Sequence, residues 1–186
     1  MDMVFGYGSL VHRGTHAMRA ITPATLEGWE RVWVRTGGRR AAFLSVRRAP
    51  AVVIEGLLLE VRDTEWVALD RREAAYRREV VRVRPAEADT VTAQVYVVPE
   101  PQAEPPSAEH PILLSYLLTV ASGFAAEFGP EAIARFFATT SGWQGAILDD
   151  SAAPAYPRAC PADPEVVCAV REGIARVGAR VRRSPS

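Results

Sequence analysis

Along the first hundred residues, apolar positions fall in short runs rich in β-branched side chains, separated by turn-forming or charged residues. Residues 3–10 (MVFGYGSL) read as a short buried strand that ends on glycines and a serine. Residues 24–36 (ATLEGWERVWVRT) read as a longer strand with partial alternation after Gly28. Four further strands are predicted at residues 41–47, 52–61, 79–85 and 90–98. Only residues 63–75 (DTEWVALDRREAA) carry a helical pattern, with Asp63 or Thr64 able to cap and Trp66, Val67 and Leu69 or Asp70 setting the faces. Strands interrupted by one helix predict an α+β fold with a curled or barrel-like, mostly antiparallel sheet and flanking helices.

The pattern changes after Val98. In PEPQAEPPSAEHP five of thirteen residues are proline, which predicts a stiff extended linker or surface loop. Helices are expected at residues 111–128, stopped by Gly129-Pro130, and at 130–139, with proline in the first turn. Residues 140–163 read as loop, and an amphipathic terminal helix is expected over 164–181. This divides the chain into a domain at residues 1–128 and a helical and loop extension at 129–186, packed on that domain.

Composition narrows the chemistry. The 186 residues suffice for one domain with a sizeable core, and 22 basic residues balance 22 acidic ones. Charge therefore gives no general attraction to nucleic acid or to an anionic membrane. All the basic residues are arginine, in keeping with GC-rich coding, so a lysine Schiff base, a P-loop and a Ser-Lys dyad are excluded. Cys160 and Cys168 are too few for a disulfide framework or a structural zinc site, which fits a reducing cytoplasm. The amino terminus lacks the basic region of a signal peptide, and no apolar run reaches the ~20 residues of a bilayer span.

Several motifs weigh little. His12 and His16 have the i, i+4 spacing of a helical metal pair, but Gly14 lies between them and no glutamate follows His12 as a zincin requires. The tandem Asp149-Asp150 is better read as turn-forming than as a cation site. GYGSL is neither a dinucleotide fingerprint nor a nucleophile elbow. It does offer a strand end where backbone N–H groups converge without Cβ hindrance beside one hydroxyl, suited to a small anion. Glu73 falls near the end of the predicted helix, just before a strand, where a carboxylate can face a concave site. Arg71, Arg72, Arg77 and Arg78 around it could equally make it an ordinary ion-pair partner.

Together, GYGSL and, about sixty residues later, LDRRE (residues 69–73) followed by YRR (76–78) resemble the gamma-glutamylcyclotransferase superfamily, including its ChaC-like members. IEGLLLEV (54–61) is similar to the family's strand before the catalytic helix, AQVYVV (93–98) to the following strand, and PILLSYLLTVASG (111–123) to the helix after the linker. The resemblance spans residues 3–128, roughly two-thirds of the chain.

It implies a small barrel with the glycine-rich turn and the carboxylate facing one cavity. It also implies a cofactor-independent reaction, in which the α-amine of a γ-glutamyl group attacks its own γ-carbonyl and releases 5-oxoproline. On that resemblance Tyr7, Gly8, Ser9 and Leu10 form the binding loop, Glu73 is the acid/base, and Tyr76 and Tyr96 are further candidates. The implied partner is a small γ-glutamyl amine, amino acid or peptide; no nucleic acid, membrane or metal is implied, and the oligomeric state is left open. A cyclotransferase that deprotects a γ-glutamylated metabolite, and a non-catalytic carboxylate-binding module, are the alternatives. For Glu73 to work as a base, the neighbouring arginines are expected to point away from it. Trp143 and Tyr156, in the region beyond residue 128, either line a lid or simply pack.

Overall fold

In the computed structural model, which describes residues 2–183, the apolar runs of the first hundred residues become five strands, closed into one barrel. These are β1 (Asp2–Gly6), β2 (Arg19–Val34), β3 (Phe43–Val61), β4 (Arg77–Pro85) and β5 (Val91–Val97). β1 lies antiparallel to β3 and parallel to β5; β4 then joins β5 to β2, and β2 pairs along most of its length with β3 to complete the ring. Closure leaves no open sheet edge in the ring. The alternation in β4 turns Val81, Val83 and Pro85 inward, and the mainly apolar β5 buries Ala93, Val95, Tyr96 and Val97.

Two irregularities shape the barrel. The two strands expected at 41–47 and 52–61 form a single β3, whose register against β2 jumps where Glu27 pairs with Val53 and Trp29 with Arg48. Gly28 sits at that jump with φ of 79°, a conformation costly for any other residue. The bend lets Leu26 and the preceding residues close the barrel, while the segment from Trp29 onward runs out with Phe43–Arg48 as a two-stranded arm. The second irregularity is a close crossing: a Cβ on Gly56 would lie 2.3 Å from the Gly6 carbonyl oxygen and 2.6 Å from Phe5 Cζ.

Between β3 and β4 the chain forms α1 (Asp63–Arg72), shorter than the predicted helix, with Glu73 as its C-cap. Its N-cap is Arg62 rather than Asp63 or Thr64: the Glu65 carboxylate accepts the Arg62 N–H at 2.9 Å. Trp66 and Leu69 face inward, whereas Val67 is exposed.

The second half returns onto the first. After the proline-rich segment, which runs beside Arg35 through paired backbone hydrogen bonds with Glu104, come β6 (Ile112–Leu113), α2 (Leu114–Phe128) and α3 (Ala132–Ala138). The expected loop over 140–163 contains two short strands, β7 (Thr140–Ser141), which adds a third strand to the arm beside Arg31 and Val32 of β2, and β8 (Ala146–Asp149). The expected terminal helix is α4 (Pro164–Arg176); the chain leaves it at Gly178 and passes into β9 (Arg180–Arg183), parallel to β8. An arginine-rich tail with one apolar residue had no face to bury as helix, and the edge of β8 supplied hydrogen bonds instead. Trp33, Tyr116, Phe124, Phe136, Phe137 and Trp143 fill the space between the arm and these helices with edge-on and stacked ring pairs. Trp143 belongs to this packing, where its Nε1 donates to the Thr140 carbonyl at 2.7 Å.

The crossing at Gly56 is testable. Gly56→Ala must push apart two backbones already tied by the β1–β3 ladder, and is expected to cost about 1–3 kcal/mol or more in urea unfolding. Gly37→Ala, where a Cβ meets nothing within 4 Å, is expected to stay within about 0.5 kcal/mol of the parent.

Candidate active site

The end of β1 becomes a pocket floor where the chain leaves the strand at Gly6 and turns. Gly8 caps a single 3-10 turn, Ser9–Val11, without help from any side chain. The first N–H groups of such a turn, those of Ser9 and Leu10, have no partner within it. The turn is held from several directions. Thr15 Oγ1 donates to the Ser9 carbonyl at 2.7 Å, and the Tyr7 carbonyl accepts from Arg31 Nε at 2.9 Å. From the helical side, a Cβ on Gly123 of α2 would stand 2.7 Å from the His12 backbone nitrogen. His12 and His16 are absorbed locally: His12 Nδ1 accepts the Gly14 N–H, and His16 Nε2 lies 3.0 Å from the Leu10 carbonyl.

This turn and the C-cap of α1 face one pocket, of ≈ 550 Å³ when its open mouth is included. Tyr7, Gly8, Ser9, Leu10, Glu73, Tyr76 and Tyr96 all line it, so the candidates read from the sequence converge. Their hydroxyls differ in what is left to offer. Tyr7 donates to the Tyr96 carbonyl at 2.6 Å, Tyr76 to the Leu44 carbonyl at 2.9 Å, and Tyr96 to Asp70 Oδ1 at 2.6 Å. These three rings shape the wall with their donors already spent. Tyr116 sits over the turn, 3.1 Å from where a Gly8 Cβ would project.

Electrostatics single out Glu73. Burial pushes its carboxyl above the usual range, against the opposing pull of Arg72, Arg39 and Arg158. Burial also raises the hydroxyl pKa of Tyr7, Tyr76, Tyr96 and Tyr116, so at neutral pH they are donors and not bases. The remaining ionisable lining groups are the three arginines and Tyr156, which leaves Glu73 as the single acid among the lining residues.

One expectation is overturned. The arginines do not all point away: Arg72 Nε lies 3.0 Å from Glu73 Oε1, with side chains only 11% and 18% exposed. The reason lies in the turn. The same guanidinium donates to the Thr15 carbonyl at 2.9 Å and to Ser9 Oγ at 3.1 Å, so it spans the gap between the carboxylate and the loop. By occupying Ser9 Oγ as an acceptor it leaves the serine proton free to donate into the pocket. The other three are engaged elsewhere or exposed: Arg78 pairs with Asp70, Arg77 with Glu79, and Arg71 faces solvent.

Sequence reading missed Arg72 as a site residue, and also Arg39, Phe43, Tyr116 and Arg158, which line the pocket from the β2–β3 loop, β3, α2 and the loop before α4. Tyr156, weighed as lid or packing, lines the pocket and packs its ring 4.8 Å from that of Tyr116. A wider depression of ≈ 1630 Å³ borders the β2–β3 arm, but its arginines are engaged, Arg47 with Glu30, Arg77 with Glu79, and Arg48 over the Trp29 ring.

A five-stranded closed barrel with four flanking helices places the chain among the gamma-glutamyl cyclotransferase-like α+β folds. Residues 4–114 match the family described as gamma-glutamyl cyclotransferase, AIG2-like, and the chain belongs to that family. A comparison with curated proteins finds no significant sequence match. Among solved structures, one named gamma-glutamyl cyclotransferase superposes with a TM-score of 0.61 at 15% identity, covering 92% of this chain and 98% of the other. Uncharacterized protein loc79017 from Homo sapiens gives 0.62 at 16% identity, over 91% and 98%. YkqA from Bacillus subtilis gives 0.56 at 16%, over 76% of this chain and 56% of its own. At these identities the likeness is one of fold. Among the described residues no helix is long and apolar enough to cross a membrane.

The buried carboxyl has a consequence for stability. A carboxyl whose pKa is raised by folding destabilises the folded state once pH exceeds the unfolded value, about 4.3 for glutamate, because the unfolded chain ionises more readily. Glu73→Gln is therefore expected to be at least as stable as the parent at pH 7. The difference should vanish below about pH 4, as read by urea unfolding across pH.

Proposed function

We propose that the protein is a cyclotransferase acting on small γ-glutamyl compounds, with Glu73 as its acid/base. The observation that carries the reading is the opposition, across one small pocket, of a single carboxyl with raised pKa and a glycine-serine turn rich in donors. Family membership supports the same reaction class.

The chemistry follows from what each group can do. A γ-glutamyl compound carries its own nucleophile, the α-amine, and its own electrophile, the γ-carbonyl; holding it folded back on itself supplies much of the entropic advantage. Attack forms the ring C–N bond. The amine proton passes to Glu73, the C–N bond to the leaving amine breaks, and Glu73 returns the proton to the leaving nitrogen. The products are 5-oxoproline and a free amine, amino acid or peptide, and every atom comes from the one substrate.

The carbonyl oxygen becomes negative during attack, and the N–H groups of the turn with the Ser9 hydroxyl are suited to stabilise it or to hold the α-carboxylate. Arg72 has two functions in this scheme. It fixes the relative placement of the turn and the carboxylate, and its charge opposes the rise in the Glu73 pKa that burial causes.

Release of 5-oxoproline from a panel of γ-glutamyl compounds, followed by mass spectrometry, tests the reading; a panel that yields none defeats it. Glu73→Gln is expected to lower kcat by about 10²–10⁴-fold while still binding substrate. A general base must be unprotonated, so activity should fall as pH drops through a Glu73 pKa lying above the ordinary carboxylate range. Removing the neighbouring cation in Arg72→Gln should move that acid limb to higher pH.

A further inference from the structure

We propose that Arg39 and Arg158 form a clamp for a carboxylate on the leaving portion of the substrate, so that the enzyme prefers γ-glutamyl amino acids or peptides with a free carboxylate over γ-glutamyl amines. This rests on the reaction proposed above and extends it to the part of the substrate that does not react.

Three guanidiniums line the pocket, from Arg39, Arg72 and Arg158, against the single carboxylate of Glu73. Arg72 is accounted for by Glu73, Ser9 and Thr15. Among the described residues neither Arg39 nor Arg158 has a carboxylate within ion-pair distance, whereas most other arginines around the pocket and barrel arm do. Arg39, half-buried, lies with its guanidinium 4.9 Å from the centre of the Phe43 ring and 5.8 Å from that of Tyr76. Arg158, exposed, follows Tyr156, whose ring stands 6.4 Å from Phe43. Two separate loops thus bring to one pocket cations that have no ion-pair partner among the described residues.

The substrate's orientation decides what meets them. The γ-carbonyl must reach Glu73 and the turn, so the leaving portion extends toward the mouth. The glutamyl end carries an ammonium and a carboxylate that offset one another, and the excess positive charge of the lining is left for whatever follows. Guanidinium pairs suit a planar carboxylate, which they can grip with parallel N–H bonds. A leaving portion with an ammonium is repelled, and a neutral one gains nothing. Since the whole chain is electrically balanced, this selectivity comes from local placement and not from overall charge.

The test compares γ-glutamylalanine with γ-glutamylalanine amide, which differ by one charge at nearly constant size. Turnover is followed in the parent and in Arg39→Gln/Arg158→Gln, and binding is measured calorimetrically on Glu73→Gln with and without the two arginine changes. The expected result is a kcat/KM at least about tenfold higher for the acid, the size of one charge-assisted contact, with the ratio reduced to within about threefold in the double variant. Equal use of both compounds by the parent, or a double variant that slows both alike, overturns the clamp and leaves the proposed reaction standing. If neither compound yields 5-oxoproline, the reaction fails for both. The binding arm then decides the clamp alone: tighter binding of the acid that depends on the two arginines supports it, and equal binding overturns it. Arg158→Gln, on an exposed loop, serves by itself if the double variant does not fold.

Discussion

A guanidinium buried inside a protein must find acceptors for its N–H groups, and in this chain that requirement organises everything around it. Arg31, on β2, is 1% exposed, with no carboxylate in ion-pair contact among the described residues. It donates to the Tyr7 carbonyl, to the Glu55 carbonyl and to Thr139 Oγ1. Its charged face lies 4.6 Å from the centre of the Phe124 ring and 5.3 Å from that of Phe136. One side chain therefore joins the start of the glycine-rich turn, the strand that closes the barrel, and two helices of the second half. Burial pulls its pKa down to about 9, which still leaves it charged at neutral pH, so the donors are always available. Had it been an apolar residue of similar size, the two carbonyls would need other donors, and the turn would lose the bond that sets its height above the barrel.

The pocket repeats the theme with a different balance. At Arg31 a cation is satisfied entirely by neutral acceptors, and nothing is left over for chemistry. At Glu73 desolvation and three cations oppose each other, so the carboxyl keeps a proton affinity that neither influence alone would give. Removal of water raises it; Arg72 restrains it. In the reaction proposed above, such a group would both accept and return the proton within one turnover.

Strand positions, the barrel, the helix before Glu73 and the convergence of Glu73 with Tyr7, Gly8, Ser9 and Leu10 were legible because each is written locally, in periodicity, turn residues or a short motif. What escaped is contact between distant segments. The merging of two expected strands into β3 depends on Gly28, which lies twenty residues before Arg48 on the neighbouring strand. Short strands β6 to β9 have too few residues for a period to register, and they form only because partners arrive from elsewhere in the chain. The inward turn of Arg72 could not be read from a row of arginines, since spacing shows which residues neighbour Glu73 but not which guanidinium has a second acceptor across the gap. Arg39 and Arg158 come from loops about 120 residues apart, with no motif to connect them.

The division of labour in the wall has an implication for how such a protein can change. The floor is tied to the barrel through Arg31 and Tyr7 and braced by Thr15 and by Gly123 of α2, so a substitution there disturbs the strands and the helices along with the pocket. Arg39 follows Gly37 and Gly38, around which there is open space, and Arg158 lies on a loop between β8 and α4. Side chains at those two places can be exchanged while the scaffold's internal bonds stay as they are. These two positions are thus replaceable fittings on a fixed housing, and exchanging them need not cost the fold its architecture.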